Sequence, residues 1–161
     1  MNKDPDQSLT SNCYQIHVIE GTVNANDAVA LESTLFTQSR KLGCSYALYL
    51  APHIAIICPP ELEQSIEEYI ASKGLPGASC NKVLLTHSFF EQLRNKTHLI
   101  TAKVNSDKKL KELEEKLGGE TIRMANDSIR LLLACNDDGT IPPQDMKLLT
   151  EKLVYSKIPA D

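Results

Sequence analysis

The stretch YALYLAPHIAIIC, residues 46–58, decides how this chain is read. Two short apolar runs, Tyr46–Leu50 and Ile54–Cys58, are separated only by Ala51, Pro52 and His53. Each run is too short for a stable helix, and proline cannot donate a ladder hydrogen bond. The two therefore read as neighbouring strands joined tightly through Pro52 and His53. Pro60 then opens a helix with Leu62, Ile66, Tyr69 and Ile70 on one face and Gly74 as its stop. On the upstream side, Tyr14–Ile19 alternates as a half-buried strand does. Asn26 and Asp27 offer caps for a helix on Ala28, Leu31, Leu35, Phe36 and Leu42 that ends at Gly43. The order is strand, helix, strand, strand, helix.

The same order recurs downstream. His98–Val104 reads as a strand, and Ser106 is expected to cap a helix with Leu110, Leu113 and Leu117 inward, closed by Gly118 and Gly119. Thr121–Ala125 and Ser128–Cys135 read as strands around the turn pair Asn126-Asp127. The loop Asn136–Pro143 leads to a last helix on Met146, Leu149, Leu153 and Val154. Between the two series lie a turn at Leu75–Ser79, a short strand at Lys82–Thr86 and a short helix capped by Ser88 that carries Phe89, Phe90 and Leu93.

The expectation is an α+β fold: a mixed, largely antiparallel sheet with helices packed on it, in one domain over 13–161 behind a tail at 1–12. Two βαββα, ferredoxin-like halves at 13–75 and 97–158 would follow from the repeated order. The closing helices even align at fixed offset, Leu62 with Met146, Tyr69 with Leu153, Ile70 with Val154 and Lys73 with Lys157. Duplication and the generic likeness of apolar helices both account for that match. Expected core positions are Ile16, Val18, Leu35, Leu48, Ile54, Ile56, Ile66, Leu84, Ile100, Leu113, Leu117, Leu131, Leu133 and Leu153.

Charge and composition exclude several classes of function. With 17 Lys+Arg against 21 Asp+Glu, the net charge of -4 leaves no cationic excess to displace counterions from bulk nucleic acid. The uncharged run through Tyr46–Pro60 is broken by Pro52 and His53, so it does not supply the ~20 apolar residues a membrane helix needs. Met1–Thr10 is polar and acidic, unlike a signal peptide, and Cys13, Cys44, Cys58, Cys80 and Cys135 lie scattered with no CxxC pair. A cytoplasmic chain with reduced thiols is expected.

Chemistry is sparsely marked. His17, His53, His87 and His98 show no HxxxH or HExxH spacing, so no metal is expected, and no glycine-rich nucleotide loop implies a cofactor. His17 and His98 fall inside strands, where a satisfied imidazole is the ordinary role. Cys80 with His87 is a conceivable nucleophile and base, but nothing in their spacing favours it. Glu61, Glu63, Glu67 and Glu68 make one helix face strongly negative, as do the glutamates of Glu112–Glu120. Both read as solvated helix faces, and the first could instead meet a basic partner. In the loop Asn136–Pro143, Gly139 allows close backbone approach while Pro142 and Pro143 stiffen the chain.

From about Gly74 to Pro143 the chain resembles YbaK/ProX-type domains, which hydrolyse mischarged aminoacyl-tRNAs. The resemblance is carried by Gly74-Leu75-Pro76, by Lys82 in Asn81–Leu85, by the leucine-rich run Leu110–Gly118, by Ile122–Ala125 and by a GxxxP loop at Gly139–Pro143. It implies that Lys82 holds the phosphate end of a substrate and that the Gly139 N–H, in the loop closed by Pro143, polarises the ester. Val83 follows the lysine where the family has Thr or Ser, and only a short segment follows GxxxP. The resemblance therefore implies a degenerate domain that binds an aminoacyl-tRNA end, or a protein partner, without hydrolysis. The alternative reading is a protein-binding adaptor, chaperone-like, or a regulatory ACT-like module in which Gly21 alone represents the ligand loop. Self-association or a protein partner is expected on either reading. The family resemblance and the duplicated order divide the chain differently.

Overall fold

The computed structural model describes residues 11–20, 24–75, 78–124, 127–136 and 141–158. The fold is α+β, with five helices and two four-stranded antiparallel sheets among the described residues. Contacts cluster into two units, one centred on Cys13–Lys82 and joined by residues 155–158, the other centred on Val83–Val154.

In the first unit β1 (Ser11–Ile19) is followed by α1 (Ala25–Leu42), β2 (Ala47–Tyr49) and β3 (Ile54–Cys58). A 3₁₀ turn at Pro60–Leu62 leads into α2 (Glu63–Lys73), and then comes β4 (Ala78–Thr86). The sheet order is β2-β3-β1-β4. Gln15 pairs with Cys58, His17 with Ile56 and Ile19 with Ile54, while Leu48 pairs with Ile56 across β2 and β3. The Ala51–Pro52 peptide in the connection between β2 and β3 is cis. Ile19, Leu31, Leu35, Ile54, Ile56, Leu62 and Ile66 form the core, and α1 and α2 pack together over it. Both helices stop on a left-handed glycine, Gly43 at φ 68 and Gly74 at φ 60, where the missing Cβ removes the steric cost of that conformation.

The second unit takes in the end of β4, then α3 (His87–Asn95), β5 (His98–Val104), α4 (Asp107–Leu117), β6 (Glu120–Arg123), β7 (Ile129–Cys135), α5 (Pro143–Met146) and most of β8 (Leu149–Ser156). Its sheet order, β6-β7-β5-β8, repeats that of the first unit strand for strand. Ile100, Ala102, Leu113, Leu131, Leu133, Ile141 and Leu149 form its core. Strand–helix–strand–strand–helix–strand with this order is the ferredoxin-like arrangement, and it occurs twice.

Four expectations need correction. The last segment is not a helix over Met146–Val154: α5 ends at Met146, and residues 149–156 form β8. Asn105 N–H donates to the Leu148 carbonyl at 2.8 Å, so sheet pairing overrides the helical spacing of Met146, Leu149 and Leu153. The offset match between closing helices fails with it. Second, Leu84 is 61% exposed on the outward phase of β4, with Val83 and Leu85 inward beside it, and Leu153 is 44% exposed on β8, whose alternation is interrupted at Glu151, at φ 49. Phe36 and Leu42 are also exposed on α1, and Val18 and Leu117 are only partly buried. Third, the caps shift. Asn24, not Asn26 or Asp27, caps α1 by accepting from the Asp27 N–H at 2.8 Å, and Thr86, not Ser88, caps α3 by accepting from the Phe89 N–H at 3.1 Å. Fourth, β4 starts at Ala78 inside the expected turn.

Candidate functional site

The residues singled out by the family resemblance fall in different parts of the chain. Lys82 is exposed on β4 in the first unit, and Pro143 is exposed at the start of α5 in the second. Gly139 lies outside the described residues, as does Gly21.

The thiol chemistry is equally muted. Cys80 meets His17, its Sγ 3.8 Å from Nε2, and the same Nε2 lies 2.9 Å from Gln15 Oε1. Gln15 and His17 are both buried on β1, opposite Cys58 and Ile56 of the first core. Burial pushes the His17 imidazole below its ordinary pKa, against an opposing pull from Glu63. Burial, reinforced by Glu63 and Glu67, pushes the Cys80 thiol up, and Cys58 is pushed to about 12, chiefly by burial. A neutral imidazole beside protonated thiols is the reverse of an activated nucleophile pair, so this cluster braces the core.

Among the described residues, two clefts of the second unit bear on function. One, of about 530 Å³, runs beside α3 and the start of β6 and is lined by Glu114 and Glu120. Those carboxylates are engaged. Glu120 accepts from the Thr86 N–H at 3.0 and 3.2 Å and from the Thr86 hydroxyl, and Glu114 accepts from the Thr121 hydroxyl at 2.9 Å. They tie β6 and α4 to their neighbours rather than await a ligand.

The other cleft, of about 400 Å³, is differently furnished. Its floor is Leu117, Leu133 and Ile141, and its polar rim is Gln92, Lys96 and Lys116. Sequence dictates the rim: α3 buries Phe89, Phe90 and Leu93, which leaves Gln92 and Lys96, four residues apart, on one flank. The pairing of β6 with β7 stops at Glu120–Leu132, so Leu133 and Ala134 lie beyond the reach of β6. Lys116 is already matched: it donates to Asp145 Oδ1 at 3.3 Å and stands 3.0 Å from Oδ2, which accepts no hydrogen bond among the described residues. Asp145 is 4% exposed, so the lysine compensates a buried charge. Neither a protein-family model nor a curated protein matches the chain.

Two further polar clusters are engaged locally. Glu151 takes Lys103 Nζ at 3.2 Å and Arg130 Nη1 at 3.4 Å, which holds its carboxyl below the ordinary range. His98 shares a 2.7 Å hydrogen bond with the Thr97 hydroxyl. No group of three metal-ligating side chains, and no helix long and apolar enough to cross a membrane, occurs among the described residues. The 400 Å³ cleft was not legible beforehand, because α3, α4 and β7 contribute to it from distant parts of the chain and none of its residues forms a motif.

Proposed function

We propose that this chain is a non-catalytic binding module of the regulatory, ACT-like kind, built from two ferredoxin-like halves. The observation that carries the reading is the repeated strand order, β2-β3-β1-β4 and β6-β7-β5-β8, each within a βαββαβ series. The fold supplies only the class, since one fold hosts many functions. Support from the side chains comes from the raised thiols and from carboxylates already occupied by Thr86 and Thr121. Such a module acts by changing its association with itself or with a protein partner, and five free cysteines fit a cytoplasmic setting.

The rival is a degenerate YbaK-like domain that binds an aminoacyl-tRNA end through Lys82, whose side chain is exposed. Incubating the full chain with a panel of mischarged aminoacyl-tRNAs separates the two. The expected result is no release of amino acid and no tRNA affinity that depends on Lys82, with light scattering reporting a species larger than a monomer. Deacylation or tight tRNA binding that disappears in Lys82→Ala would sink the proposal.

A further inference from the structure

We infer that one flank of α1, carrying Val29, Glu32, Phe36 and Arg40, is a self-association face on which a second copy of this chain seats antiparallel. The inference rests on the regulatory-module reading, in which association is the output, and it names the surface and the partner. Three observations carry it.

The first is a second apolar stripe on α1. Ala28, Leu31 and Leu35 enter the first core. Val29 and Phe36, seven residues apart and so in line after two turns, do not: they are 67% and 53% exposed. Asp27 lies half a turn round the helix from Phe36, and Asp27 is the residue that meets α2. Its carbonyl accepts from the Tyr69 hydroxyl at 3.5 Å, and its carboxylate stands 4.0 Å from Lys73 Nζ. The Phe36 flank is therefore the one turned away from α2.

The second is the charge pattern. Glu32 stands one turn before Phe36 and Arg40 one turn after it, and both are exposed. The Arg40 guanidinium lies over the Phe36 ring, 5.6 Å from its centroid. The face is its own complement about a two-fold axis at Phe36. Antiparallel copies then set ring against ring, and Glu32 of each against Arg40 of the other. Val29 falls beside Gly43 of the second copy, where a built Cβ meets nothing within 4 Å and a side chain has room. Exposed ion pairs of this kind fix register and orientation more than they add affinity.

The third is area. The 18 residues of α1 span about 27 Å. A flank about 10 Å wide then covers a few hundred Å², well short of the ~800 Å² per partner of a stable dimer. Such a contact forms and parts with concentration, as a module that acts through association requires.

Sedimentation velocity of the purified full chain, from about 10 to about 500 µM, tests this. The expected result is a reversible monomer–dimer equilibrium. Phe36→Ala should weaken it roughly tenfold or more. Leu42→Ala removes a side chain that is nearly as exposed but sits about two-thirds of a turn further round the helix, and it should leave the equilibrium unchanged. Glu32→Arg and Arg40→Glu should each weaken the dimer alone, because like charges then meet twice. Mixing those two variants should restore association, since every pair in the mixed dimer is again opposite; circular-dichroism melts confirm that each is folded at the assay temperature. A monomer throughout the range overturns the inference, as does a Phe36→Ala chain that associates like the wild type. A mixture no stronger than its separate components overturns it too. Those failures leave the regulatory-module reading standing, because deacylation or Lys82-dependent tRNA binding is what would sink it.

Discussion

Replacing each of two adjacent glycines by alanine should cost different amounts for different reasons. Gly118 ends α4 at φ 72, and a Cβ built there meets nothing within 4 Å. The only penalty is the left-handed backbone, about 1 kcal/mol, and Gly118→Asn should recover part of it. Gly119 is buried, and its added Cβ would fall 2.3 Å from the Leu132 carbonyl oxygen and 2.4 Å from Leu133 Cδ2. Ordinary carbon contacts lie at ~3.5–4.0 Å, so more than an ångström must be found. Leu133 can turn aside, but the Leu132 oxygen is backbone in the residue that pairs with Glu120. Relief therefore means parting β6 from β7, and the cost belongs at the upper end of overpacking, about 3 kcal/mol. With an m-value near ~1.5 kcal/mol/M, the urea midpoint should fall by roughly 2 M for Gly119→Ala and by under about 1 M for Gly118→Ala. Far-ultraviolet circular dichroism would follow both melts. If Gly119→Ala loses no more than its neighbour, the close approach of this turn to β7 is not what fixes glycine there.

Leu133→Ala should cost about 2–5 kcal/mol in the same melts, since its side chain is 4% exposed within the second core; a loss under about half a kcal/mol would contradict that packing. His17 is held neutral by burial, so the unfolded chain binds the extra proton, and stability should fall as pH drops below the ordinary imidazole value of 6.5. Melts from pH 7.5 to 5.5 should show that loss, and His17→Gln should flatten it; an unchanged slope in the variant would assign the pH dependence to other groups. Cys58 is raised to about 12, so its contribution is fully present below the ordinary thiol value and is lost as pH rises from about 9 to about 12. At pH 8 iodoacetamide should modify the exposed Cys13 well before the buried Cys58, as read by peptide mass spectrometry; equal rates would refute the protected setting of Cys58.

Much of the fold was legible because local signals agreed with tertiary need. In α1 and α2 an apolar stripe ends on a glycine that does adopt the left-handed conformation, and β5 runs over the expected His98–Val104. The failures lie where the sequence leaves phase or period open. Val83-Leu84-Leu85 is uniformly apolar, so nothing in the letters says which residue points out, and the choice of Leu84 took the wrong phase. Residues 146–154 place apolar side chains at helical intervals, yet of these Leu149 is the buried one and the segment is drawn into the sheet beside β5. Thr86 caps α3 while ending β4, a double role hidden when Ser88 offers a plainer cap. Gln92, Lys96 and Lys116 read as ordinary helix-surface residues, because only the packing of α3 against β7 and the close of α4 bring them to one cleft.

The two halves differ most in their second helix. Eleven residues form α2 and four form α5, although both follow the third strand of the same series. In the first half the long helix sends Ile66 and Tyr69 into the core and closes it. In the second, no equivalent lid covers the end of the sheet beyond β6 among the described residues, and the 400 Å³ hollow stands beside Ile141 and Pro142, just ahead of the short helix. The same strand order is thus compatible with two ways of closing a sheet: three turns of helix seal one half, while the other, about two turns poorer, stays open enough to hold a hollow.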